Sequence, residues 1–289
     1  MIITVASGKG GTGKTLVATG LADVLAAEAG SIHLIDCDVE EPNAHLFLRP
    51  HLETSEDVFH LVPQVDMERC TLCGRCSQVC AFHAIAVVPG KVMVFSEMCH
   101  ACGSCARQCP EGAISEVPER LGRLEFGRAG DIAFAHGLLD VGQALATPVI
   151  HQLKAKALSR VPESTTVLLD APPGNACSVV ETLRGSDFAL LVTEPTPFGL
   201  HDLKLAVELA RDALKLPVGV IVNRHGMGDA GVEDYCTAQG VPILARIPFD
   251  RRIARAYSEG MLWTQALPDY RALIQEVAGT VRTIAEMAS

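Results

Sequence analysis

Apolar runs and segments with helical spacing alternate along much of this 289-residue chain. The first run, Ile2–Ala6, precedes a glycine-rich loop. Apolar residues then recur at helical spacing from Thr15 to about Ala27, before a second run at residues 31–36. Continuous apolar runs are typical of strands buried on both faces, and helical spacing between them predicts a crossover helix. This order predicts the β-α-β unit of a parallel sheet.

The same alternation fills the C-terminal half of the chain. Its pattern predicts four more strands and a closing helix, at Val167–Asp170, Ala189–Thr193, Val218–Asn223, Ile243–Ile247 and Tyr270–Met287. Together with the first unit they predict an α/β fold whose mostly parallel sheet is flanked by helices. Glycines are frequent between residues 118 and 147, and the pattern there predicts neither a strand nor a helix.

A self-similar segment interrupts the alternation at residues 64–117. Two cysteine runs with the same C-x₂-C-x₂-C-x₃-C spacing begin 29 residues apart, namely Cys70, Cys73, Cys76 and Cys80, then Cys99, Cys102, Cys105 and Cys109. A hairpin with a Pro89-Gly90 turn is predicted between them. We therefore predict a small α+β unit at 64–117, inserted into an α/β domain formed by residues 1–63 and 118–289.

The spacing within each run is the one by which bacterial ferredoxins hold [4Fe–4S] clusters. Three cysteines of one run bind one cluster, and the last cysteine of the other run supplies its fourth ligand. This arrangement predicts one cluster on Cys70, Cys73, Cys76 and Cys109, and a second on Cys99, Cys102, Cys105 and Cys80. Zinc sites present cysteine pairs rather than runs of four, and disulfides are rare where thiols stay reduced, so both alternatives are disfavoured.

Charge and hydropathy disfavour several classes of partner. The formal net charge is −10, which disfavours nucleic acid and anionic lipid, so we expect neither nucleic-acid binding nor stable membrane binding. No apolar stretch is long enough for a membrane span, and no leader precedes the first strand. The expected location is the cytoplasm, where cysteines stay reduced.

The glycine-rich loop matches the complete G-x-x-x-x-G-K-[ST] pattern of phosphate-binding loops. It consists of Gly8, Lys9, Gly10, Gly11, Thr12, Gly13, Lys14 and Thr15. Backbone N–H groups in such a loop cradle phosphates, while Lys14 contacts the β- and γ-phosphates and Thr15 binds Mg²⁺. A chance match is disfavoured because a predicted strand and a predicted helix flank the loop.

The sequence after the strand that ends at Asn223 predicts the nucleotide base. GTP-binding proteins typically place Asn-Lys-x-Asp after such a strand. Here the sequence is Asn223-Arg-His-Gly226, with no acid at the fourth place. We therefore expect ATP rather than GTP.

A second loop lysine, Lys9, makes the loop resemble the deviant Walker A motif of MinD/Mrp/ParA-type ATPases, the CobQ/CobB/MinD/ParA class. The resemblance implies a homodimer with nucleotide enclosed between its subunits, in which Lys9 reaches the partner's nucleotide. Asp36-Cys37-Asp38 resembles the family's switch I, and Asp170-Ala-Pro-Pro-Gly174 resembles its switch II. By this resemblance the catalytic residues are Lys9, Lys14, Asp38 and Asp170.

The same resemblance assigns further roles around the nucleotide. It implies that Thr15, Asp36 and Asp170 surround Mg²⁺ and that Asp38 orients the attacking water. It also implies that Asn223 and the segment Ile247-Pro248-Phe249 border adenine. A loop asparagine satisfied by its own hydrogen bonds is an equally good interpretation of Asn223.

The resemblance to this ATPase class and the cysteine runs together imply two functional hypotheses. In the first, an ATPase that is slow without a partner gates a dimer and couples ATP to electron transfer, or to metal or cluster delivery, toward an unidentified acceptor protein. Mrp-type carriers typically use a C-terminal C-x-x-C, which is absent here, so electron transfer is favoured. In the second, the chain is a spatial organiser like MinD or ParA, with the cysteine unit as a redox sensor or docking module.

Overall fold

The structure is a computed structural model that describes residues 1–29, 31–162 and 165–288. Its strands are β1 (Ile2–Ala6), β2 (Ile32–Asp36), β3 (His51–Val65), β4 (Ile85–Val88), β5 (Lys91–Val94), β6 (Ile114–Ala129), β7 (Ile132–Leu139), β8 (Thr166–Asp170), β9 (Phe188–Thr193), β10 (Val218–His225) and β11 (Ile243–Pro248). Its helices are α1 (Lys14–Ala29), α2 (Ala44–Leu48), α3 (Arg75–Val79), α4 (Ser104–Arg107), α5 (Ala146–Leu158), α6 (Cys177–Leu183), α7 (Pro197–Val207), α8 (Gly231–Gln239), α9 (Arg251–Ser258), α10 (Trp263–Ala266) and α11 (Pro268–Ala288).

Nine of these strands form one sheet in the order β11-β10-β9-β1-β8-β2-β7-β6-β3. The strands from β11 to β7 run parallel to their neighbours, whereas β6 is antiparallel to both β7 and β3. The predicted α/β fold with a mostly parallel sheet is therefore confirmed. Ligands of such open sheets bind outside the carboxyl ends of the strands. Here the central strands β1, β8 and β2 lie side by side, so a ligand site is expected beyond their carboxyl ends.

Helices cover both faces of the sheet, and successive strand residues face opposite layers. Leu168 of β8 packs in the layer that contains α1 and α11, while Leu169 packs in the layer that contains α5. Trp263 of α10 is 1% exposed, and its indole N–H donates to the Leu16 carbonyl at 2.8 Å. The C-terminal helices are thereby fixed against α1, directly behind the glycine-rich loop.

The glycine-rich stretch that carried no predicted element forms the hairpin of β6 and β7. The β3–β6 pairing shifts register between Leu52 and Thr54 and again between Val58 and Phe59. Gly127 and Gly122 lie at these two irregularities, where a Cβ would come within 2.1 Å of the His51 carbonyl and 2.0 Å of the Leu138 carbonyl. Glycine is therefore required by close backbone approach, and the bulges break the alternation that would identify a strand.

Strands β3 and β6, with 15 and 16 residues, are much longer than the five to eight residues of the other strands of the sheet. They pair continuously from His51↔Arg128 to Val65↔Ile114, and residues 66–113 connect their far ends. Both strands cross the predicted boundaries near residues 63 and 118 without a break, so a two-stranded ribbon joins the cysteine segment to the sheet. The division into 1–63, 64–117 and 118–289 stays a prediction.

Helix α5 links this ribbon to α6. On one side, the Lys154 ammonium donates to the carbonyls of Glu181, Thr182 and Arg184 at 2.6, 2.8 and 2.7 Å, which are carbonyls at the C-terminal end of α6. On the other side, Lys156 pairs with Glu56 of β3 at 2.6 Å. A buried ammonium with three acceptors is well satisfied, because each of its protons has a partner.

Replacing Lys154 with alanine is expected to destabilise the fold by roughly 2–3 kcal/mol, because three carbonyls at the end of α6 lose their donor in a buried place. Lys156→Ala on the same helix is the matched control, since it removes only a half-exposed ion pair worth less than about 1 kcal/mol. Urea unfolding followed by circular dichroism measures both. Equal midpoints for the two variants would contradict a structural role for Lys154.

Candidate functional site

The predicted phosphate loop lies between β1 and α1, at the crevice where β1 separates β8 from β9. Gly11 and Gly13 have φ of +78° and +98°, a region that favours glycine. The Asn223 amide donates to the Thr12 carbonyl at 2.7 Å, and a Cβ on Gly13 would come within 2.4 Å of that amide nitrogen. The loop is therefore held open by contacts that only glycine permits.

A cavity of about 500 Å³ opens over the loop, within the size range of small-ligand sites. Its walls include eight residues predicted from the sequence: Gly10, Gly11, Gly13, Lys14, Thr15, Asp38, Asn223 and Pro248. Phe249, which follows Pro248 in the segment predicted to border adenine, also lines it. Six residues that were not predicted complete the rim: Glu41, Asn43, Arg224, Met227, Asp250 and Tyr257. The loop, the segment after β2 and the start of α9 thus meet at one pocket.

Three predicted loop residues lie outside the cavity wall. Gly8 is a packing residue, because a Cβ there would come within 2.5 Å of the Asp202 Cβ. The hydroxyl of Thr12 is buried without a hydrogen-bond partner. Lys9 forms an ion pair with Glu194 of its own chain at 3.1 Å, and Arg224 donates to the same carboxylate at 2.5 Å. Glu194, 8% exposed at the end of β9, was not predicted as a site residue.

The two acids at the ends of β2 and β8, Asp36 and Asp170, are neighbours in register and differ in their partners. Asp36 accepts hydrogen bonds from the backbone N–H groups of Asp38, Asn43 and Ala44 at 3.1, 3.0 and 3.0 Å. Burial, together with the nearby Asp170 charge, raises the pKa of Asp36 well above its usual value. This acid thus organises the backbone between β2 and α2.

Both carboxylate oxygens of Asp170 are buried without a hydrogen-bond partner. Burial raises the pKa of Asp170 to about 6, and the Lys14 charge and the nearby Thr15 hydroxyl oppose that rise. The Thr15 hydroxyl is close to the carboxylate but does not form a hydrogen bond with it. A buried carboxylate without a partner is costly. Its oxygens fit a magnesium ion shared with Thr15, because Mg²⁺ prefers carboxylate and hydroxyl oxygen.

Asp38 lies in the pocket wall. Burial raises its pKa, and the Lys14 charge opposes that rise. Lys14 is itself 6% exposed. A buried cation beside acids at the mouth of a phosphate loop is arranged to contact both an anionic ligand and the acids around it. The separate roles of Asp36, Asp38 and Asp170 stay predictions.

Binding of Mg²⁺ with nucleotide is expected to release a proton at low pH. Below about pH 6 the empty site holds Asp170 protonated, whereas a bound cation requires the carboxylate, so affinity falls as the pH drops below that value. Calorimetry at about pH 5 and about pH 7.5, in buffers of different ionisation enthalpy, measures the released protons. Asp170→Asn is the control, because it has no carboxyl proton to release at position 170, whereas any proton that the nucleotide itself releases is unchanged. Equal release by the two proteins would contradict the prediction.

Two small cavities, of about 20 Å³ each, lie in the cysteine segment. The first is lined by Cys70, Cys73, Cys76 and Cys109, and the second by Cys80, Cys99, Cys102 and Cys105. Each cavity thus takes three cysteines from one run and the last cysteine from the other. These are the two groupings predicted from the spacing, and their role as cluster ligands stays a prediction.

The backbone repeats its conformation at the same offset of 29 residues as the sequence. Left-handed φ values occur at Leu72 and Ala101, at Gly74 and Gly103, and at His83 and Gly112. The backbone N–H of Ala84 donates to the Cys80 sulfur, and that of Ala113 donates to the Cys109 sulfur, each at 3.3 Å. Donors aimed at cysteine sulfur stabilise thiolate ligands.

The thiol sets differ from sites that hold a single metal ion. Among the described residues, no group of three or more His, Cys, Asp or Glu side chains is arranged to hold a metal ion. A cubane cluster holds its four thiolates apart on separate iron atoms, so its ligands line a cavity instead of converging on one point. Four soft sulfur donors around each cavity, one of which accepts a hydrogen bond from the backbone N–H of Ala113 or Ala84, fit an iron–sulfur cluster.

The fold and the phosphate loop define this chain as a P-loop nucleotide-binding protein. Its residues 3–263 match the CobQ/CobB/MinD/ParA nucleotide binding domain, so the chain belongs to that family of P-loop ATPases. The match spans the cysteine segment as well as the sheet on either side of it.

Known relatives support this assignment. An uncharacterized protein of Methanocaldococcus jannaschii is 30% identical over 287 residues, which cover 97% of this chain and 97% of that protein. An iron-sulfur cluster carrier protein of the same organism is 25% identical over 135 residues, covering 40% of this chain and 46% of the carrier. MinD from Pyrococcus horikoshii, complexed with Mg-ADP, has the same fold at a TM-score of 0.61, 20% identity and coverage of 100% and 98%.

No helix in the described part of the chain combines the length and the hydropathy that a bilayer span needs.

Proposed function

We propose that this chain is an ATP-hydrolysing iron–sulfur protein in which a nucleotide-gated homodimer controls electron transfer to a partner protein. One observation carries the proposal: a single chain holds a phosphate-loop pocket and two four-cysteine cavities, joined by a continuous ribbon of the central sheet. A protein that only binds nucleotide to position other molecules has no need of eight such cysteines.

The nucleotide part of the proposal is supported by family membership and by the chemistry of the pocket. The family comprises ATPases, and this pocket contains the buried cation Lys14 and the unpartnered acid Asp170. Thr15, Asp36 and Asp170 are proposed to surround Mg²⁺, and Asp38 is proposed to orient water. Lys9 is proposed to leave Glu194 and contact the partner's nucleotide, as the resemblance of the loop implies.

The redox part is supported by the donor chemistry of the cavities. We propose that residues 64–117 form a two-cluster ferredoxin-like unit, with each cavity holding one [4Fe–4S] cluster. Bound clusters of this type supply one-electron transfer. The chain contributes the four thiolates of each set, their N–H donors and the Phe82 and His100 rings, whose centroids stack 3.7 Å apart beside the second cavity.

Communication between the two parts is proposed to pass through α5. Helix α6 follows the Asp170-Ala-Pro-Pro-Gly174 segment and is fastened to α5 by Lys154. Helix α5 is fastened to β3 by Lys156 and by the Gln152 amide, which donates to the Phe59 carbonyl at 3.0 Å. A shift of α6 on nucleotide binding would therefore be passed to the ribbon that carries the cysteine segment.

Electron transfer and cluster delivery can be separated in one experiment. Dithionite-reduced protein, freed of excess reductant, is mixed with an oxidised one-electron dye and an iron chelator, with and without Mg-ATP. Electron transfer predicts ATP-dependent dye reduction with constant iron per chain. Delivery, which the similarity to an iron-sulfur cluster carrier favours, predicts ATP-dependent loss of iron to the chelator. Dye reduction and iron loss that are both independent of ATP would contradict the proposal.

A spatial organiser of the MinD or ParA kind is the second candidate, favoured by fold similarity to MinD. It predicts ATP-dependent binding to a surface such as a membrane. The closing helix α11 presents an apolar stripe without a cationic face, and the net charge is −10, so we expect no co-sedimentation with anionic liposomes. ATP-dependent co-sedimentation would reverse the ranking.

A further inference from the structure

We infer that Glu116 makes a cluster in the second cysteine cavity, formed by Cys80, Cys99, Cys102 and Cys105, harder to reduce than a cluster in the first. The inference rests on the iron–sulfur function proposed above and deepens it, because it gives the order in which the two clusters hold an electron.

The sequence repeat allows the two cavities to be compared position by position. Val87 lines the first cavity, and the residue 29 positions later, Glu116, lines the second. Arg75 lines the first cavity, and its counterpart Ser104 lines the second. At both related positions the side chain beside the second cavity is more negative by one charge.

A third related pair, Glu111 beside the first cavity and Phe82 beside the second, reverses one of these two differences, so the second cavity keeps one negative charge more than the first. Beside the second cavity the other polar side chains are His100 and Ser104. Glu116 has no ion-pair partner within the described residues. The first cavity therefore has one cation and one carboxylate in its wall, and the second has a carboxylate alone.

The carboxylate of Glu116 lies close enough to act on the cysteines. Its two oxygens are 3.3 Å from the place that a Cβ on Gly103 would occupy, next to Cys102. A negative charge beside the cavity disfavours an added electron on a cluster bound there.

The consequence is a fixed order of reduction. With one electron on the chain, the first cluster is reduced and the second is oxidised. In a transfer between the two clusters, the second cluster would lose one electron and the first would gain it, with no bond broken or formed and no proton moved. Because Glu116 is exposed, water screens its charge, and we expect its effect to be about tenfold in the oxidised-to-reduced ratio, or about 59 mV.

A redox titration of the full chain tests the inference. Anaerobically purified protein is titrated with dithionite and followed by electron paramagnetic resonance, for wild type, Glu116→Gln, Val87→Glu and Glu111→Gln. Glu116→Gln should raise the lower midpoint and leave the upper one in place. Val87→Glu, which places a carboxylate at the equivalent position of the first cavity, should lower the upper midpoint. Glu111→Gln should leave the lower midpoint unchanged.

Two failures are distinguishable. Two clusters whose midpoints do not respond to Glu116→Gln, or whose upper midpoint alone responds, would overturn the inference and leave the proposed function standing. A chain that binds no cluster, even after anaerobic reconstitution with iron and sulfide, would overturn both.

Discussion

Lys14→Ala is expected to weaken ATP binding at least about hundredfold, a loss of about 2.7 kcal/mol. The ammonium of Lys14 is the buried cation of the pocket, and its charge opposes the rise in pKa that burial causes at both Asp38 and Asp170. Without it, an anionic ligand would enter a pocket whose remaining buried charges are acids. Equilibrium binding of a fluorescent ATP analogue, with Mg²⁺ present, measures the loss.

Lys9→Ala is the matched control for this prediction. Lys9 lies outside the pocket wall and contacts Glu194, so its removal should leave ATP affinity within about threefold, less than about 1 kcal/mol. It should nevertheless abolish ATP-dependent dimerisation, measured by sedimentation velocity. Iron content should match wild type in both variants. Equal ATP affinities of the two variants would contradict the assignment of Lys14, and normal dimerisation of Lys9→Ala would contradict that of Lys9.

Cys109→Ser is expected to halve the iron content, from about eight to about four atoms per chain, by removing the cluster of the first cavity. Cys109 belongs to the second cysteine run, but it lines the first cavity together with Cys70, Cys73 and Cys76. Loss of one ligand from a four-thiolate set destabilises that cluster while the other set stays complete. Iron and sulfide analysis of anaerobically purified protein measures the change.

Double variants decide whether the ligand sets are interleaved. Cys70→Ser combined with Cys109→Ser should cause no further loss, because both residues line one cavity. Cys80→Ser combined with Cys109→Ser should remove both clusters, because Cys80 lines the other cavity. Cys236→Ser, in the buried core of the sheet domain, should keep the full iron content. If each run bound its own cluster, Cys70→Ser combined with Cys109→Ser would also remove both clusters, because the two residues belong to different runs.

Much of the fold follows from the sequence because its central strands are buried on both faces. The β1–loop–α1–β2 order and strands β8 to β11 lie where the apolar runs predict them, within a few residues. The hairpin of β4 and β5 turns at Pro89-Gly90 as predicted. In each case a local pattern coincides with the element, so no long-range contact is needed to recognise it.

Strands β3, β6 and β7 could not be predicted in the same way. Most of β3 is exposed along its length, and its register with β6 shifts at Gly122 and Gly127. Their pairing connects residues far apart in the chain, and the glycines that permit it resemble a loop when only the sequence is considered. The ribbon that carries the cysteine segment is therefore visible only in three dimensions.

The site shows the same division between local motifs and long-range contacts. Five of the eight loop residues line the pocket, together with Asp38, Asn223 and Pro248. Asn223 also holds the Thr12 carbonyl, so its hydrogen bonds support the loop. Glu194 could not be assigned from sequence, because its partner Lys9 is far away in the chain. Its position directly after strand β9, beside β1, is the signal that would have identified it.

The most direct test of the account is the electron paramagnetic resonance spectrum of the dithionite-reduced protein, recorded with and without Mg-ATP. Wild type and Lys14→Ala are compared at equal iron content. If the nucleotide pocket acts on bound clusters through α6, α5 and the ribbon, as proposed, Mg-ATP will change the spectrum or the midpoint potentials of wild type and leave those of Lys14→Ala unchanged. Two clusters whose spectra ignore nucleotide in wild type would contradict coupling between the two sites.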